Sequence, residues 1–556
     1  MTMILDYVAA TKYFTLRVPR SNAKQISDLM QTHGLDFSQA RSTSSTAVLM
    51  TKEPYAAVAF SKYTTPYATA ELHGIATAIE ESWSPDNALH VKCPMDKELW
   101  PFQRASVAYA LRRRNTLVGD QPGLGKTPIA VCIANEIAAK RVLVLCPANI
   151  RLQWVDRIRE WSTMRWPYIV YPIIHGRTGV HPNAHWTVVS YDLARTEAIG
   201  AALARGTYDL LILDEIHYLK NIETGRTRAV FGDAAGMVRQ HDKETKEWRT
   251  LFRSLSSASG MVLGLSGTPL PNRPREAYTI ARGLCFDSID WMSEDHFKKR
   301  FNPSMKIEGE HADGTPYTYV REEVGRAPEL QARLRANFMV RHLKRDVMPQ
   351  LKLPVYDIVR VDETRAVRSV LEAESMLDID QDLLEMDIKV DGQWAIIRHQ
   401  MGLAIAPQVA DYAAMCIDGG DEKLVIFAWH IDVLNYLEEK LARFGVLRID
   451  GSTSAKQKQV RVKIFQEDRR FKIMLGNTLS LGTGTDGLQH VACHALLAEP
   501  DPVPGNNEQA VDRLDRGGQL RTVQADLFVA PGSILERILA GSLHKRHNTH
   551  KALDAR

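Results

Sequence analysis

Two series of short apolar runs, separated by stretches of helical periodicity, constrain this chain more than any other feature. The first lies at 116–118, 142–145, 187–189, 210–213 and 261–265, the second at 424–427, 446–449, 473–475, 495–497 and 527–529. Apolar runs that alternate with helices predict parallel strands covered on both sides, and so two successive α/β lobes. Between the series, residues 272–353 show little strand pattern and much charge, including Lys298-Lys299-Arg300 and the basic stretch 335–345. A mostly helical insertion is expected there, then a connection around 349–354. The leading residues read differently: strand-like alternation at 13–18, a helix capped by Ser21 or Asn22 with Ile26, Leu29 and Met30 inward and stopped near Gly34, and further strands at 47–50 and 56–60. These pieces predict a small α+β module, with Lys12, Arg17, Arg20 and Lys24 as its solvated rim. The expected division is 1–95 for that accessory module, 96–350 for the first lobe with an insertion at about 272–345, 351–530 for the second lobe, and 531–556 for a basic helical tail packing on the motor.

A length of 556 residues suits three or four domains, and 45% hydrophobic with 24% charged residues is ordinary for a globular protein. With 70 basic and 66 acidic side chains the net charge is only +4, so a polyanion would have to be met by a local patch. The six cysteines, at 93, 132, 146, 285, 416 and 493, include no C-x-x-C pair and read as reduced core residues. Neither a signal peptide nor an apolar run of membrane-spanning length is present, so the chain is expected to be intracellular, without a membrane role.

Chemistry enters at Asp120-Gln121-Pro122-Gly123-Leu124-Gly125-Lys126-Thr127, which follows the first apolar strand and opens an apolar helix. Gly123 and Gly125 let backbone approach an anion, and the helix start offers unpaired N–H groups and partial positive charge. Lys126 would hold terminal phosphates and Thr127 a Mg²⁺ ion, with Leu124 part of the cradle. Asp120 stands where the usual first glycine would. Downstream, Asp214 and Glu215 leave the carboxyl end of an apolar strand, where open α/β sheets place their ligands. Asp214 would hold Mg²⁺ and Glu215 would orient and deprotonate a water. Far along the chain, Arg513 and Arg516 share a helical face, spaced to grip a γ-phosphate. If they belong to a different lobe than Lys126, hydrolysis requires the lobes to close.

The order of these motifs resembles the Swi/Snf-type ATPases of helicase superfamily two, which translocate along double-stranded DNA. Leu99-Trp100-Pro101-Phe102-Gln103-Arg104 resembles the Q motif, and Asp120 to Thr127 the family's phosphate loop, which also begins with Asp. Cys146-Pro147 with Trp154 resembles motif Ia, Asp214 to His217 motif II followed by Leu219-Lys220-Asn221, and Leu265-Ser266-Gly267-Thr268-Pro269 with Asn272 motif III. Val340-Arg341-His342-Leu343-Lys344-Arg345-Asp346-Val347 is similar to the segment leaving the first lobe, Arg448 to Thr453 and Val462 to Gln466 to a DNA-facing segment, and Gln509 to Gln519 to motif VI. Within the family, Arg448 to Thr453 and Gly402-Leu403-Ala404 look most like the annealing-helicase subgroup, and the compact length suits a bacterial or phage member, which would be cytoplasmic. The chain departs from the pattern at Gln121-Pro122, at Ile129, at Asp515 and Gly517, and most of all at Gly482 to Gln489.

The resemblance implies two RecA-like lobes and an ATP-dependent, Mg²⁺-requiring DNA translocase. Adenine would be read through Phe102, Gln103 and Arg104. His217, Ser266, Thr268 and Gln509 would couple the nucleotide to the DNA track, and Ala148, Asn221, Ser452, Thr453 and Gly487 would touch DNA, beside the plain reading of each as a capped turn. Duplex translocation by a monomeric motor, remodelling DNA or displacing bound protein, is expected over two alternatives: a strand-separating DNA or RNA helicase, and a nucleotide-gated clamp without turnover. His217, His544, His547 and His550 lack zinc spacing, and Trp154, Trp161 and Trp166 read as core and rim.

Overall fold

Side chains such as Leu210 to Leu213 and Val142 to Cys146 have no solvent-exposed face, which only a sheet covered on both sides provides. The computed structural model describes residues 3–32, 37–51, 54–165, 167–241, 247–310, 316–376, 392–482 and 485–554. Gly34, Trp166, Thr483 and Gly484 lie outside them.

The first lobe is a seven-stranded sheet in the order Met339–Val340, Asn115–Val118, Ser259–Leu265, Tyr208–Asp214, Val142–Cys146, Trp186–Ser190, Val170–Pro172, every neighbouring pair parallel. Six parallel strands form the second, in the order Val355–Arg360, Gln524–Val529, His494–Leu497, Leu424–Ala428, Ile473–Asn477, Val446–Ile449. Both are parallel α/β lobes. The carboxyl ends of Asn115–Val118 and Tyr208–Asp214, separated by one strand, bring the phosphate loop and the acid pair to one rim of the first sheet.

The insertion between the lobes holds the helices Ala277–Cys285, Glu294–Phe301 and Ala327–Asn337, and also an antiparallel hairpin, Ser304–Glu310 with Pro316–Glu322. It returns through Met339–Val340, a two-residue strand beside the phosphate-loop strand.

The leading module pairs Ile4–Val8, Tyr13–Pro19, Thr46–Thr51 and Ser38–Ser42 in one antiparallel sheet, over a core of Leu5, Phe14, Leu16, Val18 and Phe60. The strand expected at 56–60 is instead the helix Pro54–Val58 followed by a turn. Pro54 at the helix start presets φ and supplies no N–H, so the short apolar run winds up. The helix Pro66–Glu81 packs on Ala327–Asn337, and Val91 already belongs to the first lobe's core.

The last helix, Ile534–Asp554, spans roughly 30 Å. Ile534, Leu535 and Ile538 sit in the second lobe's core, whereas Ala552 and Leu553 sit in the first lobe's. At its end, Asp554 accepts two hydrogen bonds from Arg341, at 2.7 and 2.9 Å. No helix among the described residues is long and apolar enough to cross a membrane.

Candidate nucleotide site and inter-lobe groove

The strand Asn115–Val118 delivers the chain into a loop that turns at Gly123 (φ 85°) and Gly125 (φ 74°) before the helix Lys126–Glu136. Both angles are left-handed, where a side chain is strained. A Cβ on Gly123 would also stand 2.7 Å from the Cβ of Arg516 in the second lobe. The Lys126 ammonium donates to Asp120 O (2.8 Å) and Gln121 O (3.3 Å). Burial lowers its pKa, against the pull of Glu215, Asp120 and Asp214.

Asp120 is an anchor rather than a defective glycine. Its carboxylate, with no exposed surface, accepts from His342 N and contacts His342 Nδ1, both at 2.8 Å, and accepts from Ser106 Oγ at 3.1 Å. Burial pushes the carboxyl up, but His342 outweighs it and holds the group below its ordinary value. The loop is thereby tied to the segment that leaves the first lobe.

The Q-motif residues lie differently from expectation. Gln103 donates to Leu124 O (3.0 Å) and accepts from Trp100 N (2.9 Å), so both ends of its amide brace the loop. Phe102 and Leu124 are buried in a small apolar cluster with Met348 and Leu351. Arg104 is turned toward Asp86 and Glu98. None of the four lines the cavity described next; Trp100 and Gly517 do.

That cavity, of about 950 Å³, is walled by Gly123, Gly125, Lys126, Thr127, Asp214 and Glu215 from one lobe and by Arg513 and Arg516 from the other. Asp214 accepts from Trp154 Nε1 at 2.7 Å and from Glu215 N at 3.1 Å. Burial and the adjacent Glu215 carboxylate push Asp214 up to about 7. Burial acts on Glu215 the same way, but His217, Lys126 and Arg513 overcome it and keep that carboxyl low. Two neighbouring acids therefore have separated tendencies, the second biased to stay charged. Glu215 also sits at φ 52°, a strained backbone for a non-glycine residue at a site of proposed chemistry.

Arg513 donates to Thr485 O (3.0 Å) and Gln509 O (3.3 Å). Burial and Arg516 both lower its pKa. Arg516 donates to Asp512 O (2.9 Å) and pairs with Asp486 at 3.0 Å, while Arg157 of the first lobe reaches the same carboxylate at 3.4 Å.

A chain of contacts joins the acid pair to the second lobe. Glu215 Oε2 accepts from Ser266 Oγ (3.3 Å) and lies 3.2 Å from His217 Nδ1, which is 3.1 Å from Ser266 Oγ. Ser266 Oγ accepts from Thr268 N (3.2 Å), and Thr268 Oγ1 accepts from Gln509 Nε2 across the seam at 2.9 Å.

A second groove, of about 320 Å³, opens between the lobes with Ala148, Tyr218 and Arg226 on one side and Thr453, Lys458 and Ser480 on the other. Asn221 and Ser452 are exposed and do not line it; Asn221 Oδ1 caps Glu223 N (2.8 Å) and Ser452 Oγ is bound to Asp450 (2.6 Å). Gly487 is buried at φ 102°, its carbonyl accepts from Gln466 (2.8 Å), and it does not line the groove.

Sequence reasoning missed several participants. Trp154, read as core and rim, is buried yet orients Asp214 through its indole N–H. Lys344 pairs with Asp512 and with Asp515 (2.7 Å), stitching the first lobe to the finger segment. Arg341 contacts Gly119 O and Gly267 O as well as Asp554, so the last helix reaches both the phosphate loop and motif III. Both basic residues stand in the quoted segment Val340 to Val347; Asp554 carries no local signal at all.

A P-loop at one lobe facing paired arginines from a second parallel-sheet lobe defines a two-lobed nucleotide-binding architecture. The family model described as SNF2-related domain matches residues 31–389, and the chain belongs to that family of ATPases. It is 28% identical over 478 residues to the SWI/SNF-related matrix-associated actin-dependent regulator of chromatin subfamily A-like protein 1 of Xenopus tropicalis, covering 84% of this chain and 46% of the relative. It is 26% identical over 473 residues to the DNA annealing helicase and endonuclease ZRANB3 of Mus musculus, covering 83% and 41%. The chain thus spans less than half the length of these relatives. Among solved structures, the Sulfolobus solfataricus SWI2/SNF2 ATPase core in complex with dsDNA is matched at a TM-score of 0.37 and 18% identity, over 85% of this chain and 98% of that one.

Proposed function

We propose that the chain is an ATP-dependent motor on double-stranded DNA, acting as a monomer to remodel DNA or displace bound protein. The observation that carries it is the single cavity walled by Lys126, Asp214 and Glu215 from one lobe and Arg513 and Arg516 from the other. The division 1–95, 96–350, 351–530 and 531–556 accompanies this reading, with the first lobe's packing reaching back to Val91.

Lys126 exchanges its two loop carbonyls for phosphate oxygens, and the amides at the start of Lys126–Glu136 complete the cradle. The Thr127 hydroxyl and Asp214 carboxylate, hard oxygen donors that both line the cavity, would hold Mg²⁺. When bound there the ion neutralises charge between the phosphates. Glu215, kept ionised, orients the attacking water and accepts its proton. Arg513 and Arg516 stabilise the charge that develops on the γ-phosphoryl group, an effect worth about 10³ to 10⁵ in rate. Arg516 must leave Asp486 to do so. The contacts from Glu215 through Ser266 and Thr268 to Gln509 link that event to the seam. Ala148 and Thr453 face the second groove, where Lys458, and Arg226 once released from Asp192, would supply charge for the regularly spaced phosphates, so binding is expected to be salt-dependent and independent of sequence.

The test is phosphate release with and without duplex DNA, beside triplex displacement on intact duplex. Strong stimulation by duplex over RNA, with displacement and without strand separation, is expected. Unwinding without displacement would favour a helicase, and absence of turnover a clamp.

A further inference from the structure

The amino-terminal ends of the second lobe's strands, opposite the nucleotide cavity, carry a second set of chemistry-bearing side chains. His494 opens the strand His494–Leu497, Asp526 lies near the start of the neighbouring Gln524–Val529, and Cys416 and Asp421 come from the end of the helix Gln393–Asp418 and the loop after it. One ligand atom each from Cys416, Asp421 and His494 lies within 4.8 Å of the others. His494 is buried; Cys416 and Asp421 are part-exposed.

We propose that Cys416, Asp421 and His494 bind a Zn²⁺ ion, with Asp526 as the positioning carboxylate behind the histidine. Sulfur, imidazole and carboxylate together match the borderline-soft preference of zinc. Ligands sharing one tetrahedral Zn²⁺ stand roughly 3.3 to 3.8 Å apart, given bonds of about 2.0 to 2.3 Å, so the set closes with adjustments of about 1 Å. The second shell is already built. His494 Nε2 is 2.8 Å from Asp526 Oδ2, which keeps an N–H on that nitrogen, while Nδ1 donates to Asp421 at 2.6 Å; loss of that Nδ1 proton frees the lone pair that would take the ion. Asp526 has no exposed surface and is itself held by Tyr412 OH (2.7 Å) and Gln524 Nε2 (3.1 Å). The part-exposed side of the cluster leaves the fourth position to water.

Charge balances. Without the ion, an imidazolium lies between two carboxylates beside a neutral thiol, for a net charge of about −1. Binding removes the Nδ1 proton and the thiol proton to solvent while adding two positive charges, so the cluster stays at about −1 and releases about two protons per ion. The ion would join the end of one helix to the first residue of a central strand, a staple on the second lobe remote from hydrolysis.

The experiment is titration of the chelator-treated full chain with Co²⁺ and then Zn²⁺, following absorbance, proton release in weak buffer and thermal melting. Expected are one equivalent of Co²⁺ with a thiolate-to-cobalt charge-transfer band, displacement by Zn²⁺, about two protons released, and a raised melting temperature. In Cys416→Ser the band and the melting shift should vanish, and in Asp421→Asn affinity should fall at least tenfold. Both positions are part-exposed, and the metal-free melting of each variant checks its fold. A folded chain that gives no band, or a band that survives in Cys416→Ser, overturns the proposal and leaves an imidazolium bridging two carboxylates.

Discussion

Replacing Asp486 by Asn removes the carboxylate that holds the Arg516 guanidinium at 3.0 Å, without removing a side chain of similar shape. If Arg516 must leave this partner to reach the γ-phosphate, the pair is a brake on the nucleotide cycle. Its strength can be bounded. The Asp486 side chain is 54% exposed, so solvent screens the pair and its worth is that of a surface ion pair, about 0.2 to 1 kcal/mol. Releasing the finger should therefore raise the DNA-free rate by about 1.4- to 5-fold. The rate with saturating duplex should change less, because there the finger is already engaged. Raising salt should accelerate the DNA-free reaction of the wild type and leave Asp486→Asn flat, since screening and substitution act on the same contact. Phosphate release under single-turnover conditions measures all three. A DNA-free rate that is unchanged or lower in Asp486→Asn, with nucleotide affinity intact, would refute the reasoning.

Other outcomes follow from the same geometry. Asp120→Asn weakens the fully buried hydrogen bonds that the carboxylate accepts from His342 and Ser106 and should cost about 1.5 to 3 kcal/mol in urea unfolding; a loss below about 0.5 kcal/mol would show that the anchor is incidental. Asp120→Gly, which writes in the usual loop glycine, should not strengthen nucleotide binding. Gln509→Ala removes the seam hydrogen bond to Thr268 and should lower DNA stimulation at unchanged nucleotide affinity, by the equivalent of about 1 to 3 kcal/mol; equal stimulation in the variant would exclude the relay. Trp154→Phe keeps the apolar body but removes the donor to Asp214, so half-saturating Mg²⁺ should rise at least tenfold, and an unshifted Mg²⁺ titration would count against Trp154 as an orienting group.

How much the sequence disclosed depends on how local the cause is. The ten apolar runs became parallel strands, nine of them largely buried because their apolar character leaves no solvated face, and Val446–Ile449, which carries Arg448, as a part-exposed edge. Asp214 ends such a strand, Glu215 follows it, and Lys126 opens the helix one loop beyond another, so the shared carboxyl rim of the sheet places all three on the cavity wall. The strand Met339–Val340 was invisible because two residues carry no period. The hairpin Ser304–Glu310 with Pro316–Glu322 does alternate, through Met305 and Ile307 on one strand and Tyr317 and Tyr319 on the other, but each alternation is short and set in the charge that suggested helix; the run at 56–60 was too short to separate strand from helix by pattern. Phe102, Gln103 and Arg104 are near the loop in space, but the structure spends Gln103 on Leu124 and Trp100, a partner choice that residue identity does not reveal. Asp554 reaches Arg341 only because a 21-residue helix bridges both lobes, a relation between residues 213 apart.

The central claim is that lysine and acids on one lobe and arginines on the other act on one nucleotide. Parallel measurement of nucleotide affinity, by equilibrium binding, and of duplex-stimulated phosphate release, in the wild type and in Arg516→Ala, tests it most directly. Binding within a few-fold of wild type with release slowed by about 10³ or more is the expected result. Release that continues at the wild-type rate would contradict it.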